Sequence, residues 1–206
     1  MGLDSTTRDA DRRPEKQRFF VLTGPSGVGK GTVEAAVRAM YPDLWISTSV
    51  TTRSPRTGEV DGQHYFFVDD AKFDQMIANG DLLEWATVHG THRYGTPKAA
   101  VRDALGAGKT VLLEIDLDGA RQIRASEPEV YEIFLAPPTW DTLRDRLAGR
   151  GTESEDERER RLETAKVELA AESEFDEIVI NDDIDRTAHE VARIMGLEKP
   201  AASGEN

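Results

Sequence analysis

The densest chemistry in this sequence lies in GPSGVGKG, the run Gly24, Pro25, Ser26, Gly27, Val28, Gly29, Lys30 and Gly31. It follows an apolar stretch, Phe19 to Thr23, and precedes apolar residues at helical spacing, Val33, Ala36, Val37 and Met40. A strand, a glycine-rich turn and a helix in that order are the context a phosphate-binding loop requires. Glycines let the backbone fold so that its amides point inward, the helix N-terminus adds a positive dipole end, and Lys30 can reach the phosphate oxygens. The pattern G-x-x-x-x-G-K-[ST] asks for a hydroxyl where this chain has Gly31, with Thr32 one place later. A magnesium ion arriving with a nucleotide therefore lacks its usual protein hydroxyl. It is expected to be held by nucleotide oxygens and water, leaving Thr32 for the α-phosphate.

Such a loop by itself fits a GTPase, an ATPase or a nucleoside monophosphate kinase. The segment STSVTTRSPRTGEVDGQHYFF, from Ser47 to Phe67, narrows the choice. It sets Arg53 and Arg56 three apart, where Pro55 and Gly58 argue against a helix. Paired guanidiniums grip a phosphate monoester with charge-assisted hydrogen bonds, and Tyr65 can add a neutral donor. A second anion site beside the loop is the chemistry this predicts.

Four motifs then follow in order: S-x-T-T-R-x-P-R-x-G-E from Ser49 to Glu59, IANGDLLEWA from Ile77 to Ala86, YGTP from Tyr94 to Pro97, and GRGTE from Gly149 to Glu153. Over about Arg18 to Leu197 the chain resembles the guanylate kinases. The resemblance implies transfer of the γ-phosphoryl group of ATP to GMP, and to dGMP, with magnesium as helper. It implies Arg53, Arg56, Tyr65 and Tyr94 as holders of the GMP phosphate, and Ser49, Glu84, Thr96 and Asp116 as readers of guanine. A carboxylate suits guanine because it accepts from N1 and N2 side by side, whereas adenine would turn an unprotonated N1 towards Glu84. The cations expected around the transferred group are Lys30, Arg53, Arg150 at the hinge of a lid and Arg161 on the helix after it. Asn181 resembles the family's adenine edge, although capping explains the following Asp182 and Asp183 equally well. Glu114 stands where the family often has aspartate and is placed near magnesium or its waters. The GKGT spelling resembles adenylate kinases, which do without the loop hydroxyl.

The elements that must position these groups read as an α/β fold: a parallel sheet flanked by helices, with an inserted GMP-binding subdomain and a lid. Buried strands are expected at Phe19 to Thr23, Thr110 to Ile115, Tyr131 to Ala136 and Glu177 to Ile180, all rich in Val, Ile and Leu. Thr96 followed by Pro97 reads as a helix start, a capping hydroxyl with proline at the first helical position. A short helix around Phe73, Met76 and Ile77 should end at Gly80. The expected division is a tail at 1–17, a kinase domain at 18–197 and a tail at 198–206. Within the domain the core is 18–49, 97–148 and 162–197, the insertion 50–96 and the lid 149–161, the last charged throughout, solvated and mobile.

The composition bounds the partners. With 26 Lys and Arg against 39 Asp and Glu, the chain carries a formal charge of −13, which argues against nucleic acid, whose phosphates need a broad basic face. No run approaches the ~18 apolar residues of a membrane span, and the first residues lack the apolar centre of a secretory signal, so no membrane partner and a cytoplasmic location are expected. The absence of cysteine removes disulfides and thiolate catalysis. The histidines His64, His89, His92 and His189 carry no assigned chemistry. Scaffold domains that resemble guanylate kinases but hold phosphorylated peptides are the rival from another class, and the intact loop from Gly24 to Lys30 argues against them. A kinase for another phosphate ester is disfavoured by Ser49 and Glu84.

Overall fold

The computed structural model describes residues 18–88, 91–148 and 155–197, with side chains from residue 159 onward in the last stretch. Along the chain the elements are β1 (Phe19–Thr23), α1 (Lys30–Met40), β2 (Trp45–Ile46), β3 (Val50–Thr51), β4 (Phe66–Phe67), α2 (Asp70–Asn79), β5 (Leu82–Val88), β6 (His92–Pro97), α3 (Lys98–Gly106), β7 (Val111–Glu114), α4 (Leu117–Ser126), β8 (Tyr131–Ala136), α5 (Trp140–Ala148), α6 (Glu155–Ala170), β9 (Glu177–Ile180) and α7 (Ile184–Ile194).

All five residues of β1 are buried, and the pleat divides them between two cores. Phe20 and Leu22 pack with Val33 and Val37 of α1 and Val191 of α7, while Phe19 and Val21 pack with Val101 of α3 and Ala120 and Ile123 of α4. Cover on both faces explains why the central strands β7, β1 and β8 read as unbroken apolar runs, whereas the edge strand β9, expected to be buried, leaves Ile178 and Ile180 exposed. The five strands lie in the order β2-β7-β1-β8-β9, all parallel. With β1 in the middle, the turn after it and the ends of β7 and β8 open on one edge, where α/β sheets bind ligands. A second sheet, ordered β4-β3-β6-β5 and mixed in direction, comes from the segment between β3 and β6.

One expectation changes at a helix start. Thr96 does not cap a helix: it pairs with Glu84 across the β5–β6 hairpin, and α3 begins at Lys98 with no side-chain cap. Its hydroxyl is taken by Glu84, so the Thr-Pro pair serves a strand end. Residues 155–161, assigned to the lid, open α6. Glu and Arg are good helix formers, and acidic residues at the start favour the helix dipole, so a sequence with little to bury still forms a helix. The two-residue β2, paired with β7, is too short for periodicity to announce. The tails at 1–17 and 198–206, the lid residues 149–154 with Arg150, and His89 lie outside the described residues.

Away from the ligand edge, Glu132 of β8 is only 2% exposed and accepts from Arg124 Nε at 2.5 Å. Arg124 also stacks on Phe175 and reaches Glu174. Burial pushes the Glu132 carboxyl up to about 7 against the opposing pull of Arg124. An acid whose folded value is raised contributes stability below its unfolded value, and that contribution is lost as pH climbs through the folded one. Glu132→Gln should therefore gain on the parent between pH 5 and pH 8: the melting temperature of the variant minus that of the parent rises across this window, and a flat difference would refute the assignment.

Candidate active site

The turn after β1 is built on glycines that no other residue replaces. Gly24 has φ 144° and a Cβ there would lie 2.3 Å from the Leu135 carbonyl oxygen, while Gly29 has φ 104° and would meet Asn181 Nδ2 at 2.7 Å. Asp69, Asp116 and Asp183 cap α2, α4 and α7 through their side chains, but α1 follows Gly29 with no side-chain cap and no acid in its first turn. Its amides are thus left for an anion. Lys30 folds back, with Nζ donating to the Gly24 carbonyl at 2.6 Å. Pro25 and Val28 close the turn, the Val28 amide donating to Pro25 O at 3.1 Å. Ser26 is held from α6: its amide donates to Glu168 Oε2 at 3.0 Å, and its hydroxyl accepts from Arg161 at 3.4 Å. Gly27 lies against Leu147, and Gly31 and Thr32 are exposed.

Asn181, expected at the adenine edge, is completely buried. Its Nδ2 donates to Val28 O at 2.7 Å, and Arg146 donates to the same oxygen and to Asn181 O. Through its bond to Val28 O the side chain braces the loop from behind.

Arg53 is buried and completely oriented. Two of its nitrogens meet the Glu59 carboxylate at 2.8 and 2.9 Å, Nη1 also donates to Ser54 O, and Nε donates to the Tyr94 hydroxyl at 3.2 Å. Its guanidinium lies 5.4 Å from the Tyr65 ring centroid, and Tyr65 and Tyr94 meet edge to face. Arg53 holds Glu59 down to about 2, and burial raises the Tyr65 phenol to about 12. The second guanidinium behaves differently: Arg56 is exposed, and it is held through its backbone, the amide donating to Glu59 Oε2 at 2.7 Å and the carbonyl accepting from the Glu59 amide at 3.0 Å. One arginine is preset and the other is left to reach.

Glu84 sits on β5, 5% exposed, with Oε1 accepting from the Thr96 hydroxyl at 2.6 Å. Burial, then the nearby Asp116 charge, pushes it up to about 7, against the Thr96 hydrogen bond. Asp116 is raised too, chiefly by burial, and one of its oxygens caps α4 by accepting from the Gly119 amide at 2.7 Å. Gln122 docks the strand on the helix, bonding both the amide and the carbonyl of Trp85.

These groups share one cleft of about 310 Å³, lined among others by Ser26, Lys30, Ser49, Tyr65, Glu84, Tyr94, Glu114 and Asp116. Arg53 and Thr96 stand behind that lining, each touching a residue in it. Three acids absent from the expected site also enter: Glu34, Glu168 and, behind Arg53, Glu59. Glu34 hydrogen-bonds Glu114, and burial followed by that neighbour raises it to about 8. It lies one helical turn after Lys30, a spacing that puts both on one face. A Cβ at Gly31 would stand 3.5 Å from Glu114 Oε2, so a carboxylate oxygen occupies the neighbourhood of the missing loop hydroxyl. Oxygen donors there fit a hard divalent cation. Among the described residues no group of three or more His, Asp or Glu side chains converges as a metal cage.

The family model for guanylate kinase matches residues 16–198. The chain belongs to the guanylate kinase family. It is 58% identical over 195 residues to a guanylate kinase of Leifsonia xyli, covering 94% of this chain and 76% of that one. It is also 58% identical over 187 residues to one of Streptomyces coelicolor, covering 91% and 93%. The crystal structure of guanylate kinase from Anaplasma phagocytophilum superposes with a TM-score of 0.73 at 30% identity, over 90% of this chain and 88% of that one. In guanylate kinase terms the residue most plainly missed by sequence reasoning is Glu59, the last position of the S-x-T-T-R-x-P-R-x-G-E motif. Glu59→Ala should raise KM for GMP about tenfold by releasing Arg53 from its fixed pose, with KM for ATP unchanged; equal GMP affinity in steady-state kinetics would show that the pair does not orient the site.

Proposed function

We propose that the protein transfers the γ-phosphoryl group of MgATP to GMP, and to dGMP, giving ADP and the guanosine diphosphate. Three chemistries meet in one cleft: a lysine-bearing loop before an uncapped helix, a preset arginine with two tyrosines, and a buried carboxyl between them. That juxtaposition supports a two-substrate kinase with a purine-reading acceptor side. ATP lies along the loop from Gly24 to Thr32. Arg53, Arg56, Tyr65 and Tyr94 hold the GMP phosphate, and Ser49, Glu84, Thr96 and Asp116 face guanine.

An oxygen of the GMP phosphate attacks the γ-phosphorus in line as the bond to the β-phosphate oxygen breaks, so the protein's work is positioning and neutralising charge. Lys30 leaves the Gly24 carbonyl for the β- and γ-phosphates, Arg53 faces the acceptor, and Arg161 and the hinge residue Arg150 add charge from the lid side. Glu114, with Glu34 hydrogen-bonded to it, would hold magnesium or its waters. The ion, when bound, screens the phosphate oxygens. Closure of the lid at 149–161 over the core (18–49, 97–148 and 162–197) and the insertion (50–96) keeps water from the γ-phosphate. No helix among the described residues is long and apolar enough to cross a membrane. A cytoplasmic place in purine nucleotide metabolism and GMP recycling follows from the substrates.

The decisive test is ADP formation from ATP with GMP, dGMP, AMP, UMP and CMP, with and without magnesium; turnover independent of GMP or dGMP would refute the reading. Lys30→Met should lower kcat by roughly 10³-fold in a folded protein, and near-normal turnover would remove Lys30 from the chemistry. Because Glu84 must be ionised to accept from guanine and its carboxyl is raised to about 7, kcat/KM for GMP should climb as pH rises through that value. Glu84→Gln should abolish this limb and reduce the preference for GMP over AMP. The GMP phosphate titrates near ~6 for both proteins, so the signal is the difference between their profiles.

A further inference from the structure

Gly119 is the third residue of α4 and is buried, yet its backbone has none of the positive φ that favours glycine. In an ordinary helical position alanine is the better residue, because glycine gives up more chain entropy. What excludes a side chain is local. A Cβ on Gly119 would lie 2.6 Å from Glu84 Oε2, 3.2 Å from Glu84 Cδ and 3.3 Å from Asp116 Oδ1. Outside the helix's own backbone, the three nearest atoms it would meet all belong to carboxyl groups.

We infer that Gly119 is a specificity-setting positioning residue: its missing side chain is the space that fixes the Glu84 carboxylate in its base-facing orientation. This rests on the reading of Glu84 as the acceptor for guanine. The carboxylate is held from two sides. Thr96 donates to Oε1 at 2.6 Å from β6, while the bare Gly119 backbone admits Oε2 from α4. The strand cannot back away to make room, because Gln122, one turn further along α4, bonds both the amide and the carbonyl of Trp85, the residue after Glu84. Strand and helix are clamped at a fixed spacing, so a methyl at 119 is accommodated by rotating the Glu84 side chain away from Thr96. The fold tolerates that change, and the direction of the base acceptor does not.

Gly119→Ala tests this in the intact chain. The variant should melt at or above the parent temperature, raise KM for GMP about tenfold or more as a charged acceptor leaves its pose, and lose GMP-over-AMP preference by a similar factor. KM for ATP should hold, and kcat at saturating GMP should change less than KM. Glu84→Asp, one methylene shorter, should worsen KM for GMP in the parent but improve it in the Gly119→Ala background. If Gly119→Ala keeps parental GMP affinity and selectivity while Glu84→Gln loses selectivity, Gly119 has no positioning role and the base reading stands. If Glu84→Gln also keeps selectivity, the base reading falls and this inference with it. A lowered melting temperature with KM for ATP rising in parallel would place the strain in the helix packing, and would equally overturn it.

Discussion

Carboxyl groups crowded around two anion sites are the constraint on which this cleft depends. Glu34, Glu84, Glu114, Asp116 and Glu168 all line a space proposed to take two phosphate-bearing molecules. Left ionised and unpaired, they would repel any nucleotide, and ionised carboxylates are costly to bury. The structure answers in two ways. Burial raises Glu34, Glu84, Asp116 and Glu168, which favours their neutral forms. Elsewhere a carboxylate is kept ionised and turned into a tool, as Glu59 is when it orients Arg53.

Much of this was legible in the chain. The phosphate loop declares itself because its parts are contiguous, and strands buried on both faces announce themselves as apolar runs, so Tyr131 to Ala136 is found to the residue. Glu177 to Ile180 is found with the same bounds, but as an edge strand in which only Val179 is buried. What stayed hidden depends on residues far apart in sequence. Thr96 before a proline is locally a cap, and only the β5–β6 register shows that its hydroxyl belongs to Glu84. Gly119 is one more glycine until β5 is clamped against it. Asn181 sits in the expected neighbourhood of the nucleotide, but the burial of its side chain behind Val28 emerges only from packing. Glu34 alone left a trace, one turn after Lys30 on an amphipathic helix.

The contacts of Ser26 carry a mechanical consequence. Arg161 and Glu168 are seven residues apart on the single helix α6, two turns along one face, and they engage the hydroxyl and the amide of the same serine. A sixteen-residue helix is a stiff rod about 24 Å long, fastened to the loop near its middle and towards its C-terminal end by contacts of opposite polarity. Swinging its far end pulls on both fastenings at once. The turn that cradles phosphate and the rod leading back towards residue 155 therefore act as a single linkage, and a push at either end is felt at the other.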